Sequence, residues 1–256
     1  MTLGDVHLIR ADARDLPLED DSVDLIVTSP PYFGLRSYQD GGAHYDGQIG
    51  AEPTPGEFVD ALLEVTREMV RVLKPSGSIF VNLGDKYARN GGGGAGSSDG
   101  VLGRGPRPAS KTTTVRPKSL IGVPWRYAIR CIDDLDLILR AEMIWSKPNG
   151  LPEGGVRDRV SRKHEQFFHF TKSETYYSAI DYLREPHRTA EGAGARRGPS
   201  GGNRGTLTGR RHDDGAPVGN FTHAALGKLP GSVWDVVTEP LRVDPTLGID
   251  HFAAFP

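Results

Sequence analysis

The sequence predicts an α/β fold built on a mainly parallel sheet, and three observations lead there. Short apolar runs bounded by polar turns recur along the chain, the pattern of strands buried on both faces. Segments with helical periodicity separate several of them, which is the spacing of strand–helix–strand crossovers. Hydrophobic side chains make up 37% of the 256 residues and aromatics 8%, lean but enough for a core.

The first apolar runs, residues 6–9 and 25–27, predict two strands. Thr54-Pro55-Gly56-Glu57 then supplies an N-cap, a proline at the first helical position and a glutamate at the third, a capping box. Phe58, Leu62, Val65, Met69 and Val72 follow at helical steps, and Lys74-Pro75-Ser76-Gly77 stops the helix. Residues 78–83 predict the next strand, and 125–135 a second helix with Pro124 near its start. Strands are expected at 137–145 and 165–170. Trp125, Trp145, Trp234 and Cys131 are expected in the core.

Charge nearly balances, 31 Lys and Arg against 33 Asp and Glu, which excludes a uniformly basic nucleic-acid coat protein. The balance hides an asymmetry: residues 1–64 hold 13 acids and 3 basic residues, whereas 184–211 hold 7 Arg and 2 Glu. A single cysteine excludes an internal disulfide framework and a cysteine-based zinc site. His164 and Glu165 have no third ligand at a suitable spacing, so no metal is expected. No apolar run reaches about 18 residues and the first 15 lack a signal-peptide core, so the expectation is a cytoplasmic protein with no membrane partner. Residues 90–105 and 190–219, rich in glycine, read as mobile loops.

The sharpest chemical feature is Thr28-Ser29-Pro30-Pro31-Tyr32, directly after an expected strand. Two prolines end a sheet ladder and stiffen the backbone. The Ser29 hydroxyl and the Pro30 carbonyl can then accept hydrogen bonds from an amino group, and the Tyr32 ring offers a stacking face. Open α/β sheets place ligands at such strand ends. A plain Pro-Pro turn is the other reading of these residues taken alone.

Taken in order along the chain, the pieces resemble the permuted β group of DNA amino-methyltransferases, which modify cytosine N4 or adenine N6. Ser29-Pro30-Pro31-Tyr32 is similar to that family's catalytic motif. Asp12 lies in a segment like the one before it, and Asn82-Leu83-Gly84-Asp85 resembles the next motif. Leu139-Arg140 with Ile144-Trp145-Ser146-Lys147-Pro148-Asn149, and Arg157-Asp158-Arg159 with His164-Glu165, resemble the segments that follow.

The resemblance implies a Rossmann-like α/β sheet with helices on both faces, S-adenosyl-L-methionine as cofactor and double-stranded DNA as partner. It implies that a flipped base stacks on Tyr32 while Ser29 and the Pro30 carbonyl hold its amine for direct transfer, Pro31 stiffening the turn. Asp12, Asp85, His251 and Phe252 are the implied cofactor contacts; Asp12 also reads as an exposed turn residue and Asp85 as a turn cap. Lys147 and Asn149 are candidates for phosphate or base contact, or for simple solvation. Arg196, Arg197, Arg204, Arg210 and Arg211 fall where the family carries its target-recognition region, which would make 184–230 a flexible DNA-reading segment between a catalytic region at 1–183 and a return segment at 231–256. Ser29 favours cytosine N4, since the family motif often opens with Asp in adenine enzymes. Adenine N6, or an inactive DNA-binding remnant or specificity partner, is the alternative. The family's glycine loop for the cofactor is not found before Pro256, so part of the sheet is expected to be missing here and a complementing chain is an expected partner.

Overall fold

A computed structural model of the chain describes residues 5–35, 39–40, 43–44, 47–88, 115–150, 153, 156–186 and 227–239. Its first compact unit comprises Met1–Tyr177 and Ser232–Pro256, and its second Ser178–Gly231.

In the first unit, β1 (Val23–Thr28) is followed by a two-residue hairpin, β2 (Gln39–Asp40) and β3 (Ala43–His44). Helix α1 (Pro55–Val72) follows, then β4 (Leu73–Leu83), α2 (Val123–Leu135), β5 (Ile138–Ser146), β6 (His164–Thr171) and β7 (Val233–Asp235). Five strands form one sheet in the order β1-β4-β6-β5-β7.

Helix α1 starts where its capping box requires. Thr54 Oγ1 accepts the Glu57 N–H, and the Glu57 carboxylate accepts the Thr54 N–H at 3.0 Å. Replacing Thr54 by alanine removes one half of this reciprocal cap, and a loss of about 1 kcal/mol is expected in chemical denaturation; no change would mean that tertiary packing alone defines the helix start. The helix ends at Val72, and the chain extends directly into β4, five residues ahead of the expected strand start.

One face of the sheet carries the core. Ile79, Val81 and Leu83 of β4 and Phe168 and Phe170 of β6 point to the same side, because the antiparallel register pairs Ile79 with Phe170 and Val81 with Phe168. Phe58, Leu62, Leu63 and Met69 of α1 pack on them with Tyr127, Ala128 and Cys131 of α2. Each buried Phe, Leu, Ile, Val or Met side chain among them contributes roughly 1.5–3 kcal/mol relative to exposure. The two helices are joined inside the core by a 2.8 Å bond between Thr66 Oγ1 and the Tyr127 hydroxyl. Cys131 is wholly buried as expected, and burial pushes its thiol up to about 12, so it stays protonated.

Several expectations need correction. Residues 6–9 form no strand: Val6 and Leu8 are 85% and 97% exposed. A strand needs a ladder partner, and these residues pair with none of the described strands, β1 being an outer strand of the sheet. The segment after them is instead held to α1 by charge: the Leu16 N–H donates to Glu68 Oε1 at 2.8 Å, and Arg71 bridges Glu68 and Asp20. The sheet is mixed rather than mainly parallel. β1–β4 and β5–β7 are parallel, but β6 runs antiparallel to both its neighbours. The cause is the connection from β5 to β6, which has a Pro148-Asn149-Gly150 turn and no crossover helix among its described residues, whereas a parallel return needs a crossover. Among the described residues both helices lie on one face. Trp145 is core, but Trp125 and Trp234 are 43% and 42% exposed: Trp125 lays an edge on Phe168 from the rim, and Trp234 sits on the short β7.

The described part of the second unit is a closed base. Glu185 and Lys228 exchange backbone hydrogen bonds at 2.9 Å each way and pair through their side chains. Gly227, with φ of 88°, passes so close to the Glu185 carbonyl that a Cβ there would sit 2.4 Å from it. A short 3-10 turn, Ile180–Leu183, precedes it.

Candidate active site

The sheet register brings four chain segments to one end. β1 and β4 run parallel with Thr28 opposite Val81, so Ser29 and Gly84 emerge at neighbouring strand ends. β6 is antiparallel, so it begins there with His164 and Glu165, and Ser146 of β5 pairs with His164. A cavity of about 340 Å³ opens at this end, walled by Tyr32, Gly84, Asp85, Lys147, Arg162 and Glu165 among others. That is the small end of the usual range for ligand pockets.

Tyr32 is the organising group. Its hydroxyl donates to Glu165 Oε2 at 2.8 Å, and Asn82 Nδ2 donates to the same hydroxyl at 3.1 Å and to Glu165 Oε2 at 3.0 Å. Burial, then the nearby Glu165 charge, holds the phenol well above its ordinary pKa, while Ser29 and Asn82 offer the opposing hydrogen bonds. It therefore acts as a neutral donor. The ring lies against Gly84: a Cβ there would stand 2.5 Å from Cε2 and 2.9 Å from Cδ2. A glycine just past a buried strand is what such close approach demands.

The other oxygen of Glu165 is paired as well. Lys147 Nζ lies 2.5 Å from Glu165 Oε1 and 4.1 Å from the centre of the Trp145 ring. Lys147 thus stands in the pocket wall with its charge matched. Asn149 is turned to structure: its Nδ2 donates to the Thr238 carbonyl at 2.8 Å and its Oδ1 accepts the Thr238 N–H at 2.9 Å.

Asp85 also lines the cavity, with its carboxylate 2% exposed. It accepts from the Gly122 and Val123 N–H groups at 2.9 and 3.3 Å, capping α2 across 37 residues of sequence, and faces Arg162 Nη1 at 3.5 Å. Gly122 has φ of 77° and no side chain of its own to cap with, so the cap comes from another element. Asp12 caps its own turn, accepting from the Arg14 backbone at 2.9 Å and from its guanidinium at 2.8 Å. The hydrogen bonds to Arg14 hold its carboxyl at about 2. Asp12 is not among the residues that wall the cavity. His251, Phe252, Arg196, Arg197, Arg204, Arg210 and Arg211 lie outside the described residues, as do the glycine-rich stretches.

The structure therefore brings together Tyr32, Asp85 and Lys147 of the expected set, with Ser29 at the adjoining strand end. It adds Asn82, Gly84, Arg162 and Glu165. In the sequence Glu165 stands only within the His164-Glu165 pair; its place at the site follows from the strand register, which sets it opposite Trp145 and on the same face of β6 as Phe167 and His169. A stiff turn, a neutral aromatic ring fixed at its hydroxyl and a small cavity beside it suit the holding of a planar group that carries an amine.

A family model for DNA methylases of the N6/N4 type matches residues 23–256. The chain belongs to that family. It is similar to the type II methyltransferase M.SmaI of Serratia marcescens, 39% identical over 187 residues, covering 72% of this chain and 62% of M.SmaI. M.XycI of Xanthomonas campestris pv. cyanopsidis is 39% identical over 192 residues, 70% of this chain and 57% of that protein. M.SfiI of Streptomyces fimbriatus is 37% identical over 193 residues, 75% of this chain and 41% of that protein. The chain thus spans less than two thirds of the length of each of these methyltransferases. In this chain the Ser29-Pro30-Pro31-Tyr32 segment follows β1 at the end of the sheet where the cavity opens.

Proposed function

We propose that this chain methylates the exocyclic amine of a base flipped out of duplex DNA, and that the base is cytosine, modified at N4. The observation that carries the reading is the seating of Tyr32: its ring is pressed on Gly84 and its hydroxyl fixed by Glu165 and Asn82, beside an open cavity at the end of β1. A flipped base stacks on that ring. The Ser29 hydroxyl and the Pro30 carbonyl accept the two N–H bonds of its amine, turning the nitrogen lone pair toward the methyl donor. Ser29, rather than an aspartate, favours cytosine.

S-adenosyl-L-methionine, when bound, supplies an electrophilic methyl group. The described residues fit the amine side of such a site rather than the donor side, since Asp12 and Asp85 are both committed to internal partners. The outer position of β1, with Leu25 and Val27 55% and 56% exposed, suits the addition of further strands that carry the donor side. The work of the residues present is positioning and hydrogen bonding at the nitrogen, with no covalent enzyme intermediate.

Ser29 is exposed, so alanine there leaves the core intact while removing its hydrogen bond to Tyr32. Ser29→Ala is expected to slow transfer of tritiated methyl groups to unmethylated duplex DNA by a hundredfold or more. The assay uses this chain alone and co-expressed with a chain that carries a glycine-loop cofactor half. Transfer under neither condition, or equal transfer by Ser29→Ala, would overturn the reading.

A further inference from the structure

We propose that Glu165 is the positioning residue of this site: its carboxylate fixes the plane of the Tyr32 ring and tethers the Lys147 ammonium to the pocket wall. The proposal rests on the reading of Tyr32 as the stacking face for the target base. Three donors from three segments converge on this one carboxylate. Tyr32 reaches it from the turn after β1 and Asn82 from β4, both at Oε2, while Lys147 reaches Oε1 from the end of β5. The hydroxyl of Tyr32 is 133 residues away in sequence, so the contact exists only because β6 inserts beside β4.

The need for such a tether follows from the backbone. Tyr32 stands on a turn outside the sheet, where nothing in the ladder limits its side-chain torsions. Gly84 defines one side of the ring, and the hydroxyl is the only polar point at which the far end can be held. A carboxylate holds it better than a neutral acceptor does, because charge-assisted bonds are shorter and stronger. The phenol so bonded also turns a more electron-rich face to a base whose amine gains positive charge as it is methylated.

Lys147 completes the argument. Held between Glu165 and the face of Trp145, its ammonium is kept from swinging out toward solvent. The network is not assembled for stability alone: Asn82, 2% exposed, gives both of its contacts through Nδ2 and leaves Oδ1 buried without a partner among the described residues. An orphaned acceptor of this kind costs stability, and such costs gather at working sites.

The test uses the full chain with carbon-13 tyrosine, the Tyr32 signals being assigned by their loss in Tyr32→Phe. In the wild type, Tyr32 is expected to show a slowly exchanging hydroxyl proton and a single fixed ring environment. Glu165→Ala is expected to lose that proton signal, shift the ring signals and lower the rate constant of methyl transfer by about tenfold to a hundredfold. Glu165→Gln still accepts from Tyr32 but no longer balances Lys147, so it keeps the hydroxyl signal and loses less activity. Tyr32→Phe combined with Glu165→Ala is expected to be no slower than the worse single variant. Unchanged Tyr32 signals in Glu165→Ala, or wild-type transfer by that variant, would overturn the proposal. A wild type that transfers no methyl group would defeat the functional reading instead, and the tyrosine signals would then decide the tether by themselves.

Discussion

Replacing Gly84 by alanine is expected to reduce methyl transfer by at least a hundredfold in a protein that remains folded. The added Cβ falls 2.5 and 2.9 Å from two atoms of the Tyr32 ring, closer than a side-chain carbon approaches, and 3.1 Å from a third. A loose side chain would swing away at little cost. This ring cannot, since its hydroxyl is held by Glu165 and Asn82. Either the hydrogen bonds break or the turn after β1 moves, and a displacement of about 1 Å at a positioning group costs roughly a hundredfold in rate. The accompanying stability loss is the ordinary cost of overpacking, about 1–3 kcal/mol. Thermal melting beside the transfer assay separates the two effects; a fully active Gly84→Ala protein would show that the position of the Tyr32 ring is unimportant.

The second large effect is on stability. Among the described residues Asp85 supplies the side-chain acceptor for the Gly122 and Val123 N–H groups and the charge that faces Arg162, whose own side chain is 11% exposed, and Asp85→Ala removes both. Breaking a buried ion pair from one side costs about 3–5 kcal/mol, because the remaining charge keeps its burial and loses its compensation. Urea denaturation of Asp85→Ala is expected to show a loss in that range. Asp85→Asn, which still accepts from both N–H groups, should fall between it and the wild type. A loss below about 1 kcal/mol for Asp85→Ala would show that these partners do not hold the carboxylate and would leave it available to a ligand.

What the sequence made legible follows the range of the interactions. Helix α1 was readable to the residue at its start, because capping box, proline and apolar stripe all act within one turn or along one face. α2, β5 and β6 were readable to within one or two residues for the same reason. Strand direction was not, since it depends on where β6 inserts and not on its composition. Residues 6–9 misled because an apolar run predicts a strand only where a neighbour completes its ladder.

The site divides along the same line. Ser29-Pro30-Pro31-Tyr32 is a local device and could be read from the chain, and Lys147 lay in a recognisable segment. Glu165 and Asn82 meet Tyr32 across 133 and 50 residues, and nothing local marks either as its partner. Asp85 lies in a recognisable segment, but its burial and its bonds to the start of α2 belong to tertiary structure. Asn149 is local as a polar residue at a strand end, whereas its pairing with the Thr238 backbone is tertiary.

The most direct test of the central claim is the chemical identity of the product. Unmethylated duplex DNA is incubated with S-adenosyl-L-methionine and the protein, alone and co-expressed with a chain that carries a glycine-loop cofactor half, then digested to nucleosides for mass spectrometry. The account predicts N4-methyldeoxycytidine, and its absence when Ser29→Ala replaces the wild type. N6-methyldeoxyadenosine as the product would contradict the assignment of the base, and no methylated nucleoside under either condition would contradict the assignment of the site.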